Sequence, residues 1–552
     1  MERVPRQQAT VTDHPRDTRF FGQPGVLANL FGVELWERFS FYGMQGILLI
    51  YLYYSAAQGG LGIDEGTAAQ IVGAYGGAVY LSTVLAAWLA DRVLGPERTL
   101  FYSAVVVMLG HIALSLLPGL LGVGVGLVLI AIGSGGVKAN ASSLVGTLYD
   151  EGDTRRDAGF SLFYMGINIG ALIGPLLTGV LQKEWGFHAG FLAAAVGMAL
   201  GLVQYTIGRR GLPEHSHHVA NPLPAAKRRG YVVGGVVALV VVAALVATGI
   251  ISAERLANIV IGAVVVATVA YFAIILRDKD VTGVARTRVL AFIPLFVCNA
   301  VFWSLYQQQF TVVTIYSDKR LDRDLFGWEM PVSWVQSINP VFIIALAGVF
   351  AALWTRLGRR QPSTPLKFGV ATVVMGLAFF LFLLMPAGAG SAPLLGLVGI
   401  LLVFTIAELL ISPVGLSMTT KLAPPKYTTQ MMALFFLSIS LGTAMAGTLA
   451  GYYDESSEGP FFFWVGLVAV ITGLVVVAIS KPIKRLMAGS TDPLRPSSTR
   501  SGAVRVIWAA PLVRAWAGQS SRRSRSCWSE RRSRSVTRGT RSAIESATRV
   551  GR

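Results

Sequence analysis

The chain has 552 residues, of which 53% are hydrophobic and 14% are charged, and its mean hydropathy is +0.59. These values exclude a soluble enzyme and a disordered chain, because water-soluble domains contain about 25% charged residues. Most of the net charge of +18 lies in residues 488–552, which contain 14 Arg, no Lys and three acids, so we expect no nucleic-acid partner for the folded part.

Windows of about 20 mostly apolar residues can cross a bilayer as helices. The chain contains fourteen such windows, near residues 27–54, 68–90, 99–117, 120–146, 158–181, 187–208, 231–251, 256–276, 289–316, 331–355, 367–386, 393–418, 428–451 and 460–480. Residues 1–24 are charged and mixed, so we expect a cytoplasmic N-terminal segment there and no cleavable signal.

Lys and Arg are unevenly divided between the loops. One alternating set of loops carries 18 of these residues and the other set carries five. Because cytoplasmic loops carry the excess of positive charge, both termini should face the cytoplasm. The sequence therefore predicts a multi-pass protein of the cell (plasma) membrane.

The seventh and eighth windows are Val- and Ala-rich runs without charge, flanked by basic linkers. We interpret them as a lipid-facing hairpin. Without it, two groups of six spans remain, as in transporters built from two halves with a site at their interface. The alternative is a fourteen-span protein without this division.

The predicted fold is an all-α membrane protein with two six-helix bundles and a two-helix central insertion, giving 14 transmembrane helices. The bundles would cover residues 25–209 and 289–480, and the linker with the two extra helices would cover 210–288. Residues 481–552 would form a basic, disordered cytoplasmic tail.

Five ionisable side chains lie inside the windows, where a charge is costly and therefore indicates a functional site. Glu34, Glu37 and Arg38 are spaced three and four residues apart, which places them on one side of a helix. Lys138 lies in the fourth window and Glu408 in the twelfth. Three acids and two cations leave one carboxylate without a counter-charge, and such a group can bind a proton. The alternative is a set of static ion pairs, which would stabilise little.

Aromatic and amide side chains also interrupt the apolar windows. They are Tyr42, Tyr51, Tyr80, Tyr164, Asn168, Trp303, Gln307 and Gln308. Each alone is as consistent with packing or with an interfacial position, but their presence in both halves predicts a polar pocket. The sequence shows no nucleophile–base pair and no metal-ligand cluster, so we expect no enzyme, no metal and no cofactor.

Several segments resemble the motifs of one transporter family. ELWERFSFYG (34–43) resembles the ExxERFxYYG motif of the proton-dependent oligopeptide transporter (POT or PTR) family, a branch of the major facilitator superfamily. GSGGVKAN (133–140), LFYMGINIG (162–170) and AELLISPVGLSMTTKLAP (407–424) are similar to three further blocks of that family. Its bacterial members also carry two extra central helices.

The resemblance implies a symporter that imports di- and tripeptides with protons by alternating access. Proton coupling would involve Glu34, Glu37, Arg38, Lys138 and Glu408. Substrate binding would involve Tyr42, Tyr80, Lys138, Tyr164, Asn168, Gln307, Glu408 and Phe435. Gating would involve Gln45, Gln307, Lys138 and Glu408, with the last two paired. Glu408 would receive the amino terminus of the peptide, while Lys138 would lie near its carboxylate.

Some positions depart from the family pattern. Many relatives have Tyr where this chain has Phe41, Arg where it has Gln45 and an acid where it has Gln307. The Arg and the acid form an outer gate in such relatives, so we expect a Gln45–Gln307 hydrogen bond in its place. Phe435 stands where some relatives have Trp, which would alter the side-chain pockets.

Two other functions stay open. The chain could be a major facilitator transporter of nitrate, an amino acid or a drug, although Lys138, Asn168 and Glu408 are intact. It could also be a membrane sensor that transports nothing, although such a protein would not need the ExxER triad. We expect peptide, protons and the lipid bilayer as partners, no obligate protein partner, and a tail that is dispensable for transport.

Overall fold

The computed structural model describes residues 17–150, 153 and 155–487. The predictions for residues 1–16 and for the tail beyond residue 487 fall outside this part of the chain. The described residues are mainly helical. One short antiparallel hairpin, β1 (Asp324–Leu325) with β2 (Trp328–Glu329), lies in a loop.

The helices follow the predicted windows in order. They are α1 (Val26–Tyr53), α2 (Glu65–Leu89), α3 (Pro96–Leu116), α4 (Gly119–Gly146), α5 (Arg156–Trp185), α6 (Phe187–Gly208), α7 (Ala225–Ala247), α8 (Leu256–Arg277), α9 (Gly283–Tyr306), α10 (Val312–Lys319), α11 (Ile338–Leu357), α12 (Thr364–Phe382), α13 (Leu394–Leu422), α14 (Thr428–Ala450), α15 (Glu458–Ala478) and α16 (Ser480–Leu486). The short helix α10 extends α9, and α16 extends α15. Residues 481–486, which were predicted to begin the disordered tail, are helical instead. Each predicted window therefore corresponds to one long helix.

Twelve helical segments of the described chain are long and apolar enough to cross a membrane. The long helices α1 and α7 are not among them. α1 has 28 residues but carries Glu34, Glu37 and Arg38, which lower its hydropathy. The structure is thus compatible with the predicted 14 spans and supports twelve of them by length and composition.

Local sequence explains several helix ends. Asp64 precedes α2, and its carboxylate accepts a hydrogen bond from the Thr67 amide at 3.0 Å, as an N-cap residue does. Pro96 begins α3, where its missing amide donor has no cost. Gly95 has a φ of +82°, and a Cβ there would lie 2.9 Å from the His217 carbonyl oxygen. Only glycine therefore fits the turn between α2 and α3.

The long helices pack into two groups. α1 packs against α5 and α6, and α3 against α4; in the second group α12 packs against α15, and α9 against α14. A Cβ on Gly110 would lie 2.9 Å from the Gly126 carbonyl oxygen, and one on Gly376 would lie 2.6 Å from that of Gly466. Such small residues let two backbones approach closely within a membrane. The exact domain boundaries stay a prediction.

The two central helices differ in how they pack. α8 contacts α2 and α14, whereas the described side chains of α7 are exposed along nearly the whole helix. Beyond the end of α8, Lys426 lies 2.7 Å from Asp278, and Tyr427 donates a hydrogen bond to the same carboxylate. These two contacts hold the pKa of Asp278 well below its usual range. The link from α8 to the start of α14 is therefore charged at physiological pH.

Candidate functional site

Three charged side chains of α1 form one buried cluster. Arg38 Nε donates a hydrogen bond to Glu34 Oε1 at 2.8 Å and lies 3.1 Å from Glu37 Oε2. None of the three residues is more than 4% exposed. Their spacing of three and four residues brings them together on one face of the helix, as the sequence predicts.

This triad carries more negative than positive charge. One guanidinium faces two carboxylates, and Glu34 Oε2 and Glu37 Oε1 accept no hydrogen bond from any described residue. A buried charge without a partner is costly in a low-dielectric environment. One proton bound by either acid would balance the cluster, so its chemistry suits proton binding.

Lys138 of α4 lies over two aromatic rings. Its Nζ is 4.7 Å from the centroid of the Phe41 ring and 5.5 Å from that of Tyr80. Arg38 approaches the same Phe41 ring, with Cζ 5.9 Å from the centroid. No acid forms an ion pair with Lys138 in the described part of the chain. Phe41, one of the departures from the family pattern, thus provides a ring contacted by two cations.

Glu408 of α13 is held by neutral donors. Its Oε2 accepts hydrogen bonds from the Tyr306 hydroxyl at 2.8 Å and from Asn339 Nδ2 at 3.2 Å. Sequence reasoning missed Tyr306 and Asn339, although each is a polar residue inside an apolar window. Among the described residues, Glu408 has no cation within ion-pair distance. The predicted pairing of Lys138 with Glu408 is therefore not formed in this conformation.

Further predicted substrate residues lie on α1 and α5. Tyr42 stacks on Phe310 of the second group of helices, with ring centroids 6.1 Å apart. On α5, Asn168 Nδ2 donates to the Tyr164 carbonyl oxygen at 2.9 Å. Tyr164 itself is 44% exposed, so neighbouring helices cover only part of this residue.

Other side chains predicted for the pocket contribute to helix packing. Tyr51 contacts the ring of Phe187, with centroids 5.2 Å apart, and Gln308 donates to a backbone carbonyl oxygen of α14 at 3.2 Å. Phe435 is 7% exposed and lies against Gly415, where an added Cβ would be 2.6 Å from its ring. The missing side chain at Gly415 therefore provides space that the Phe435 ring occupies.

The predicted Gln45–Gln307 hydrogen bond is wrong for this conformation. Gln307 Nε2 donates instead to Thr443 Oγ1 at 3.2 Å. Gln45 Oε1 is buried and has no hydrogen-bond partner among residues 17–150, 153 and 155–487. The physical reason is that α9 packs directly against α14, so the acceptor for Gln307 is on that helix rather than on α1.

The two groups of helices meet at the predicted outer end, where α1 ends and α2 begins. The Ser333 and Ser337 hydroxyls each donate to a carbonyl oxygen of α5 at 2.9 Å, and Trp334 Nε1 donates to a third at 3.0 Å. α2 and α14 also touch, because a Cβ on Gly73 would lie 2.5 Å from Gly447 Cα. At the opposite end, the described residues of α4 make at most isolated contacts with those of α13. The interface between the groups is therefore closed at the predicted outer end.

Five polar side chains add further contacts across this end. Asp318, near the end of α10, accepts hydrogen bonds from the Tyr53 and Tyr54 hydroxyls at 2.7 Å each. Lys319 forms an ion pair with Glu65 at 2.8 Å. We refer to these five residues as the outer latch. They lie at helix ends beside loops, and no sequence motif identified them.

Comparisons with known proteins agree with this architecture. The model of the POT family matches residues 97–465. The chain is 41% identical over 474 residues to the uncharacterized transporter YclF of Bacillus subtilis, which covers 85% of this chain and 96% of that protein. It is 39% identical over 485 residues to the di-/tripeptide transporter of Lactococcus lactis subsp. cremoris, over 85% of this chain and 97% of the relative.

Solved structures give the same result. A mutant of the peptide transporter POT in complex with alafosfalin matches with a TM-score of 0.82 at 42% identity, over 86% of this chain and 98% of the other. A POT family transporter in complex with a thioalcohol-conjugated peptide matches with a TM-score of 0.80 at 39% identity, over 85% and 98%. These matches confirm the predicted major facilitator fold and a class of transporters rather than enzymes. This multi-pass membrane chain therefore belongs to the POT family.

Proposed function

We propose that this chain is a proton-coupled symporter that imports di- and tripeptides by alternating access. The observation that supports this most is a separated pair of charges: Lys138 and Glu408 lie on different halves and do not neutralise each other. A peptide offers one carboxylate and one ammonium group, which a fixed cation and a fixed anion complement. The similarity to a di-/tripeptide transporter supports the same substrate class.

In this proposal Glu408 binds the amino terminus of the peptide. Both of its neutral hydrogen bonds, from Tyr306 and Asn339, use Oε2. They hold the carboxylate in place and leave Oε1 for an incoming ammonium group. The peptide carboxylate binds Lys138, and the remaining contacts come from Tyr42, Tyr80, Tyr164, Asn168, Gln307 and Phe435.

Proton coupling in this proposal begins at Glu34, Glu37 and Arg38. A proton on either acid removes the net negative charge of the triad. Arg38 and Lys138 contact the same Phe41 ring, so a change of charge at the triad alters the electrostatic environment of Lys138. Proton uptake and binding of the peptide carboxylate would be linked in this way, and the inward proton gradient would supply the driving force without a cofactor.

The direction of transport follows from the predicted orientation in the plasma membrane, with both termini in the cytoplasm. The contacts at the predicted outer end then correspond to an inward-facing conformation. Gln45 and Gln307, with Lys138 and Glu408, stay candidates for gating, because their partners must differ between the two conformations.

Uptake of labelled dialanine into proteoliposomes tests this proposal. We expect accumulation only with an inward proton gradient and none in Lys138→Ala. Lys421→Ala, which removes an exposed lysine on α13, is the matched control and should leave accumulation unchanged. Accumulation of nitrate, an amino acid or a drug in place of dialanine would favour a different substrate. Gradient-independent binding without accumulation would favour a sensor.

A further inference from the structure

An apolar groove lies between α2 and α8, away from the interface of the two halves. It has a volume of about 450 Å³ and is lined by one face of α2 between Ala78 and Trp88 and by Tyr271 of α8. Ser82 also lines the groove, but its hydroxyl is engaged inside the protein. It lies within hydrogen-bond distance of two backbone carbonyl oxygens, at 2.8 and 2.6 Å. The groove therefore offers an apolar surface to its surroundings.

The groove runs from the middle of α2 towards the predicted cytoplasmic end. The α2 segment from Ala78 to Trp88 is about 15 Å long at the rise of an α-helix. One leaflet of a bilayer has a hydrocarbon layer about 15 Å thick. The groove thus has the length that a lipid acyl chain of the inner leaflet would occupy.

Basic side chains surround the cytoplasmic end of the groove. Tyr231 of α7 packs against Trp88 there, with ring centroids 5.2 Å apart. Lys227 and Arg228 precede Tyr231 by four and three residues, so they lie on the same face of α7. Arg92 lies four residues after Trp88, in the π-helical turn Ala90–Leu94 that continues α2.

The charge at this end is positive. Lys227 and Arg228 are exposed, and Arg228 Nε donates a hydrogen bond to the Leu223 carbonyl oxygen at 3.3 Å. The nearby acid is Asp91, which is partly buried beside Arg92. Three cations next to one acid complement a single phosphate group.

We propose that this groove binds an anionic phospholipid of the inner leaflet. One acyl chain occupies the groove between Ala78 and Trp88, and the phosphate contacts Lys227, Arg228 and Arg92. The lipid fills the space beside α7, which otherwise has few contacts with the bundle. The site is separate from the peptide pocket and does not depend on the identity of the transported substrate.

Photo-crosslinking in nanodiscs tests this proposal. The full chain is reconstituted in phosphatidylcholine with a trace of phosphatidylglycerol that carries a diazirine on its acyl chain, and crosslinked peptides are located by mass spectrometry. We expect labelling of the Ala78–Trp88 segment and of Tyr271. Unlabelled phosphatidylglycerol should compete, whereas phosphatidylcholine and inorganic phosphate should not.

Two single variants supply a matched comparison. Lys227→Gln should lower labelling about fivefold, the effect expected of one basic residue near a membrane surface. Arg229→Gln removes the same charge from the opposite face of the same helical turn and should leave labelling unchanged. Equal labelling by a phosphatidylcholine probe, equal losses in the two variants, or no loss in Lys227→Gln would each overturn the proposal.

Discussion

Removal of the tyrosine hydroxyls of the outer latch should open the predicted outer end. Tyr53→Phe and Tyr54→Phe each delete one hydrogen bond to Asp318, whose side chain is 7% exposed, and each leaves the ring in place. Both bonds join one half of the protein to the other. They therefore stabilise the closed outer end relative to the open one, without stabilising either half by itself.

The expected magnitude follows from the charge of the acceptor. A hydrogen bond to a charged group contributes about 1.5–3 kcal/mol. Water replaces part of this bond when the outer end opens, so we take the lower value, which corresponds to roughly a tenfold change in the ratio of closed to open conformers for each variant. The two bonds share Asp318, so the double variant should fall short of the product of the single effects.

The ratio of closed to open conformers can be measured from the distance between two spin labels. Labels at Gln58 and Phe326, which are exposed loop residues at the predicted outer end, are introduced after replacement of Cys298 and Cys527. We expect a larger population of long distances in both variants. Tyr452→Phe is the control, because Tyr452 is 76% exposed at the same end and, among the described residues, its hydroxyl forms no hydrogen bond to the other half. An unchanged distance distribution in the double variant would refute the role of the latch.

Four further predictions concern transport and the closure of the outer end. Lys138→Ala should abolish proton-driven accumulation of dialanine but leave its exchange; full accumulation would contradict the assigned role. Gln307→Glu places an unmatched charge at a buried site and should slow uptake; an uptake rate equal to that of the unsubstituted protein would contradict this. Gly73→Val should keep α2 from approaching α14 and so shift the spin-label distances towards the open outer end, whereas a wild-type distribution would argue against close contact. Truncation after Leu486 should leave the initial uptake rate unchanged, and a large loss would show that the tail has a role.

The regular spacing of apolar and charged residues along the chain explains which features the sequence could predict. The apolar windows correspond to the long helices because a span needs a run of apolar residues of fixed length. The Glu34, Glu37 and Arg38 cluster was predictable because residues three and four apart on a helix always share a face. The motifs around Lys138 and Glu408 were sufficient to identify the family, since they occur in order along the chain.

Contacts between distant helices were not predictable in this way. The sequence could place Lys138 and Glu408 in spans, but only packing decided that Lys138 lies over Phe41 and that Glu408 is held by Tyr306 and Asn339. The contacts at the outer end were likewise not predictable from the sequence. Its contacts depend on how the halves approach each other in one conformation, and no local pattern encodes that.

The sequence by itself thus determined the spans, the triad on α1 and the family. The tertiary structure decided which charges are paired, that Gln307 bonds to Thr443 rather than to Gln45, and that Asp318 joins the two halves. The physical reason is the range of the interactions: helix periodicity acts within a few residues, whereas these contacts join side chains more than a hundred residues apart along the chain.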